Sequence, residues 1–348
     1  MPALTVSRWS RVIVLFMAVS LVGAVVCLQF GSERIPLTEV TRILLDGGKG
    51  DAGESASGVN RSVIVLEVRL PRILLAFLVG ASLAAVGVAL QALLRNPLAD
   101  PFILGVSSGA ALGAILALQI GVGWAVAGFS PVQVFAFLGA GVTIITIYRV
   151  AVKNGQVPVH TLLLAGVIIN AIFSALILFI TSLADSTSAF RMFFWLMGNL
   201  TTLGYAGIGA LAVSVAVGVG LLCGQARSLN VLALGEETAR GLGLDVERVK
   251  RMIFFTSALV TGAVVAVSGL IGFVGMVIPH MLRMTLGADH RLLLPGAALV
   301  GGVSLMAADT AARSLLAPAE LPVGVITALC GGPFFIYLLV RNRGAQIL

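Results

Sequence analysis

Charged residues make up only 11% of the 348 residues, against roughly 25% in a soluble domain. A chain so poor in charge cannot cover a water-facing surface, which excludes an ordinary soluble protein. Cysteine is nearly absent as well. Cys27, Cys223 and Cys330 lie far apart in apolar stretches; they form no CxxC and no metal-ligand spacing, and read as buried structural thiols. No G-x-x-x-x-G-K-[ST] phosphate loop occurs anywhere. The tract Gly47-Gly48-Lys49-Gly50 is followed by neither Ser nor Thr and reads as a flexible linker rather than a phosphate cradle.

The apolar stretches also hold almost no Asp, Glu, Lys or His, groups that proton- and ion-coupled transporters use as relays. The three histidines, His160, His280 and His290, sit at the expected cytoplasmic ends of spans, so no nucleophile or metal cluster for an intramembrane enzyme is visible. The net charge of +7 does not mark a nucleic-acid surface, because the basic residues are scattered between apolar runs. Energy for any transport has to enter from outside this chain.

What is present is hydrophobicity. The apolar fraction is 59% with 41 glycines, and mean hydropathy is +1.08. Glycine at this level suits helices that approach closely in lipid. A span needs about 20 apolar residues. Uncharged runs place ten, near 12–30, 71–93, 103–121, 130–151, 160–183, 203–223, 251–268, 271–287, 292–312 and 323–340. Pro279 and Pro295 interrupt the eighth and ninth. The first, behind Arg8 and Arg11, exceeds the usual signal-peptide core of about 7–15 residues and reads as a retained helix. The expectation is one all-α membrane domain over 1–348 in the lipid bilayer. Its only sizeable polar segment is an outer loop at about 31–70.

With both termini inside, the inner segments hold Arg8, Arg11, Arg95, Arg149, Lys153, Arg227, Arg240, Arg248, Lys250, Arg251, Arg283, Arg291, Arg341 and Arg343, 14 of the 22 basic residues. The excess of Lys and Arg favours that side as the cytoplasm. The longest inner loop carries Val231 to Gly243, which reads as a short amphipathic helix. Glu236 and Glu237 lie at its dipole-favoured N-terminus, Arg240 is four residues after Glu236, and Gly241 and Gly243 act as stops. A faint repeat relates Arg69-Leu-Pro-Arg72 to Arg248-Val-Lys-Arg251, each opening a helix.

Several blocks in order carry a resemblance. They are Arg69-Leu-Pro-Arg72, Gly80 to Gly87, Gln91 through Asn96-Pro97-Leu98 to Asp100-Pro101, and Leu104-Gly105-Val-Ser107. They continue as Leu163 to Gly166, Trp195-Leu-Met-Gly198, Leu232-Ala-Leu-Gly235-Glu236, Gly272 to Arg283, Asp289 to Gly296, and Glu320-Leu-Pro322-Val-Gly324. Over about residues 60–343 this pattern resembles the FecCD family, the permeases of bacterial importers for ferric siderophores, haem and vitamin B12.

The resemblance implies a vitamin B12 permease-like, type II ABC importer fold of ten helices in the bacterial inner membrane. It implies a second copy of the chain, two ATPase subunits and a periplasmic substrate-binding protein as partners. No cofactor is expected on this chain, with ATP and magnesium held by the ATPase. By the same resemblance, the segment of about 230–248 supplies coupling helices, with Leu234, Gly235, Glu236, Glu237, Ala239, Arg240 and Gly243 against the ATPase. Arg69, Arg72 and Arg313 would receive acidic residues of the binding protein; the other reading is snorkelling to the lipid headgroups or local pairing, as between Asp309 and Arg313 four residues apart. Asn96, Leu98, Val159 and His160 map to the cytoplasmic gate, although Val159-His160 departs from the small polar residues common there. An iron chelate is the expected cargo and cobalamin the alternative. An ion-coupled secondary transporter and a membrane enzyme are the competing classes.

Overall fold

Short polar residues at the mouths of the apolar runs start the helices. The side chains of Thr5, Asp185, Asp245 and Asp289 each accept a hydrogen bond from a backbone N–H in the first turn that follows, and Ser130 with Gln133 forms a reciprocal capping box. The computed structural model describes residues 5–47, 60–121, 125, 128–152, 155–200 and 203–341. Among them every regular element is helical. Lys49, Lys153, Arg343 and most of the Gly47–Gly50 tract, all used in the sequence reading, lie outside the described residues.

The helices are α1 (Val6–Gln29), α2 (Leu37–Asp46), α3 (Arg61–Leu94), α4 (Val106–Ile120), α5 (Pro131–Ala151), α6 (Val159–Leu183) and α7 (Ser186–Leu196). They continue with α8 (Tyr205–Gly224), α9 (Ala226–Leu232), α10 (Glu236–Gly241), α11 (Val246–Ser268), α12 (Val274–Leu286), α13 (His290–Ser314) and α14 (Val323–Arg341). Seven are long and apolar enough to cross a membrane, namely α1, α3, α5, α6, α8, α11 and α13, and α4, α12 and α14 are shorter apolar helices. Each of the ten expected spans coincides with one of these.

Three features differ from the sequence reading. The expected outer loop holds α2, whose Val40 and Ile43 are buried one turn apart, while Glu33 and Glu39 pair with Arg61 at 3.0 and 2.9 Å. Helix α3 begins ten residues earlier than its apolar run, because the polar turns from Arg61 pack on α2 rather than facing water. Helix α7 was read as connection; it is capped by Asp185 and buries Met192.

The bundle is built around α3, which packs against α13, α11, α12 and α8. Glycine makes its closest contacts possible. A Cβ on Gly87 would overlap the carbonyl of Gly275 on α12, and one on Gly80 would overlap that of Gly301 on α13. Gly301, Gly302 and Gly331 are crowded as well, whereas Gly332 has ordinary room. At the periphery, α1 and α6 leave most of their apolar surface uncovered by the chain.

Helix α12 has 13 residues, about 20 Å at 1.5 Å per residue, too short for a hydrocarbon core of about 30 Å. Residues 269–273, between α11 and α12, are irregular chain, with Phe273 in the left-handed region at φ 70°. Backbone of this kind is tolerated at membrane depth only inside protein or along a cavity. Both conditions hold here: Asn199 N–H donates to the Ser268 carbonyl at 2.9 Å on one side, and Leu270, Gly272 and Phe273 line a cavity on the other.

Candidate functional site

Residues 231–243 hold the end of α9 and the whole of α10 rather than the single amphipathic helix expected. Gly235, at φ 112°, breaks the segment between α9 and α10, and Gly243, at φ 84°, ends it. Leu229, Leu232 and Ala239 are buried toward the bundle, while Leu234 and Leu242, each 65% exposed, point away from it beside the exposed Glu237. Two apolar knobs flanking an acid make a surface that another protein can cover. Arg240 reaches Glu236 at 3.4 Å, the pairing expected from their spacing.

Two polar clamps tie this segment to the membrane helices. At the α9 end, Asn230 donates to Asp289 Oδ1 at 2.8 Å and accepts from the His290 backbone N–H at 2.9 Å. Hydrogen bonds from Arg291, with help from Asn230, hold the Asp289 carboxyl well below the usual carboxylate range. At the α10 end, Lys250 on α11 lies 2.7 Å from Glu236 and 3.2 Å from Glu247, with its side chain only 4% exposed. Arg240 also meets Glu247 at 3.1 Å. Sequence reasoning missed Asn230, Glu247, Lys250 and Asp289 as site residues. The i,i+3 spacing of Glu247 and Lys250 was a readable signal, but their contact with Glu236 and residue 157 depends on the fold.

The gate candidates lie at this same end. Asn96 accepts from the Leu98 N–H at 2.9 Å, a tight turn that leaves Leu98 exposed. Arg95 before it is left-handed at φ 48°. Val159 and His160 open α6 and line a 260 Å³ cavity together with Arg95, Glu236, Arg240, Glu247 and Lys250. The fold therefore brings two gate candidates against the coupling candidates; Asn96 and Leu98 do not line that cavity. His160 is exposed, and among the described residues no group of three His, Cys, Asp or Glu is placed to hold a metal ion. Asp100 follows the same turn. Burial raises its carboxyl to about 6, partly opposed by hydrogen bonds from the Phe102 and Phe273 backbone.

The arginines offered as docking residues occupy the opposite end, and the structure withdraws them from the surface. Arg69, Arg72 and Arg313 are 3, 7 and 5% exposed. Arg72 donates to Asp309 at 3.0 Å and to Glu320 at 2.7 Å. Arg69 donates to the Leu28 carbonyl at 2.7 Å and to that of Glu33. Arg313 reaches the Cys27 carbonyl at 3.1 Å and lies 3.8 Å from Asp309. For Arg69 and Arg72 the physical reason is the early start of α3 at Arg61, which carries them about two and three turns into the helix. There they join α1, α3 and α13, which is pairing within the chain rather than snorkelling to the headgroups.

Between the two ends, Phe102, Ser107, Ser108, Asn170, Ser174, Phe273 and Gly324 help to line a cavity of about 830 Å³ bounded by α4, α6 and the irregular segment before α12. Asn170 and Ser174 are one turn apart on α6 and exposed. The cavity offers hydroxyl and amide groups on an apolar wall, without an ionised side chain among its lining residues.

The sequence model of the FecCD transport family matches residues 12–341. The cobalamin import system permease protein BtuC of Halobacterium salinarum is 47% identical over 287 residues, covering 82% of this chain and 75% of that protein. The hemin transport system permease protein HmuU of Yersinia pestis is 46% identical over 287 residues, covering 80% and 84%. A solved structure assigned to the metal-chelate type of ABC transporter, in an inward-facing conformation, superposes with a TM-score of 0.81 at 31% identity over 95% of this chain and 99% of that one. The fold is thus of the expected vitamin B12 permease-like kind.

Proposed function

The chain belongs to the FecCD transport family and is an importer permease of the ABC type, and from that premise we propose that it carries an iron chelate, haem or a siderophore, into the cytoplasm by alternating access. Two copies face each other across the 830 Å³ cavities, and ATPase subunits bind the exposed Leu234, Glu237 and Leu242 on the cytoplasmic side. A binding protein delivers the cargo to the opposite end. ATP and magnesium belong to the ATPase, and the chain itself takes no cofactor.

One observation carries this reading. Asn170 and Ser174 lie mid-way along α6 on a face that the chain leaves uncovered. An amide exposed to hydrocarbon is costly, so this face meets water or a second protein surface. Both are supplied by a pathway between two copies. Apolar walls with scattered hydroxyl and amide groups suit a bulky amphipathic chelate that a binding protein has already selected. Cobalamin is the second reading, favoured by the 47% identity to a relative named for it.

The test is uptake by proteoliposomes holding the chain and its ATPase, offered hemin, a ferric siderophore or cobalamin. ATP-dependent accumulation of an iron chelate is expected. Uptake driven by an ion gradient without the ATPase would sink the importer mechanism, and accumulation of cobalamin alone would replace the cargo. Glu237→Lys should weaken ATPase capture; unchanged assembly and transport would remove residues 231–243 from the coupling role.

A further inference from the structure

Residue 157 stands just before α6, the helix that walls the cavity, and its backbone is held from both sides. The Val157 N–H donates to Glu247 Oε2 at 2.7 Å, and the Val157 carbonyl accepts from Lys250 Nζ at 3.2 Å. Val157 itself is 1% exposed, and Pro158 follows, so the segment enters α6 with little freedom of its own. The same ammonium group lies 2.7 Å from Glu236 on α10 and 3.2 Å from Glu247 on α11. An ammonium has three donors; here it hydrogen-bonds the Val157 carbonyl and Glu247 and faces Glu236 as an ion pair.

From this geometry we infer that Lys250 is a positioning residue that makes α10, α11 and the entry to α6 move as one body, so that displacement of the coupling segment reaches the cavity wall. The inference rests on the importer reading given above. The second tie of α10 to α11, Arg240 to Glu247, has a guanidinium side chain 49% exposed; solvent screens such a pair and it transmits little force. The Lys250 ammonium is buried at 4% exposure, where losing a partner leaves an uncompensated charge, so its contacts resist separation. At the far end of the segment, Asn230 holds α9 on the start of α13 through Asp289 and His290. That clamp makes no contact with residue 157 and serves as the fixed point about which α10 swings. The linkage joins the coupling segment to the residue just ahead of the gate candidates Val159 and His160 through a contiguous network of hydrogen bonds and ion pairs, the kind of path along which coupling between sites is carried.

The test places spin labels on the full chain in lipid nanodiscs through Gln156→Cys and Thr238→Cys, with the native cysteines replaced. A narrow distance distribution is expected with Lys250 present. It should broaden in Lys250→Met and stay narrow in Lys250→Arg, which keeps the charge and the donors. Glu236→Gln, at a partly exposed position, loosens the same link without emptying the buried site and guards against misfolding of Lys250→Met. In proteoliposomes with the ATPase, Lys250→Met should capture the ATPase and hydrolyse ATP normally while hemin moved per ATP falls about tenfold. A purely structural role would lower assembly and hydrolysis together. An unbroadened distribution in Lys250→Met, or wild-type hemin transport per ATP despite broadening, would overturn the proposal. A wild-type chain that captures no ATPase would instead overturn the importer reading, and the transmission role with it.

Discussion

Replacing Asp309 by Asn tests the buried ion cluster that binds α1, α3 and α13 together. The Asp309 side chain is 0% exposed, 3.0 Å from Arg72 and 3.8 Å from Arg313. Asn keeps the shape and one acceptor but removes a fully buried negative charge between two arginine side chains that are themselves 9 and 5% exposed. Breaking one side of a buried pair costs about 3–5 kcal/mol, because the remaining charge is left without compensation. Glu320 is the control within the same cluster. It contacts Arg72 at 2.7 Å, closer than Asp309 does, but 49% of its side chain is exposed, so Glu320→Gln should cost no more than about 1 kcal/mol. Reversible unfolding in mixed detergent micelles measures both. Replacing the whole triad, Asp309→Leu with Arg72→Met and Arg313→Met, should recover most of the loss, since apolar packing substitutes well for a buried ion group. Equal costs for Asp309→Asn and Glu320→Gln would refute the reasoning, because burial would then not be what sets the strength of these contacts.

Gly87→Ala should destabilise the bundle by about 1–3 kcal/mol, since its Cβ would overlap the Gly275 carbonyl, whereas Gly220→Ala on α8, with nothing within 4 Å, should be neutral or slightly stabilising; thermal unfolding of the two side by side decides it. Asp100 binds its proton more tightly folded, at about 6, than its ordinary 3.8, so its contribution favours folding at low pH and is lost as pH rises from 3.8 through about 6. Asp100→Asn should therefore gain stability relative to the wild type across that window and hold a constant advantage above it, read from unfolding at pH 4.5 and 7.5; a difference independent of pH would refute this. Thr238→Cys should react with a membrane-impermeant maleimide only when the reagent has access to the cytoplasmic face, which checks the orientation drawn from the distribution of Lys and Arg.

The ten spans were legible because hydrophobic length is a local property and the bilayer imposes it on each segment separately. Polar helices under the same fold were not. Helix α2 presents only Val40 and Ile43 as its buried pair, a signal too small to separate from a loop until Glu33 and Glu39 are seen to meet Arg61. Helix α7 had a readable start at Asp185-Ser186-Thr187-Ser188, overlooked because its 11 residues are too few to span. The two charged clusters divide in the same way. Glu236 with Arg240, and Asp309 with Arg313, are four residues apart and could be paired on paper. The partners that decide what each cluster does are distant in sequence: Arg72 lies 237 residues from Asp309, and Lys250 lies 93 from Val157.

That distance explains why resemblance and geometry part at the arginines. A motif such as Arg69-Leu-Pro-Arg72 records which residues stand where, but not whether a guanidinium group ends in water or in protein. Here the helix begins at Arg61, eight residues before Arg69, so both arginines enter the bundle and take their acceptors from it. Their end of the molecule is consequently held by charges that are expensive to separate, with Asp309 wholly enclosed. The opposite end is held by Glu236, Arg240 and Glu247, whose side chains keep 26, 49 and 20% of their exposure, around one buried ammonium. The Arg240 pairs, in contact with water, exchange partners at little cost, whereas the buried Lys250 ammonium keeps its own. The asymmetry therefore puts the rigid joint at the arginine end and the movable one at α10, with Lys250 as the buried contact that links α10 to residue 157 at the entry to α6.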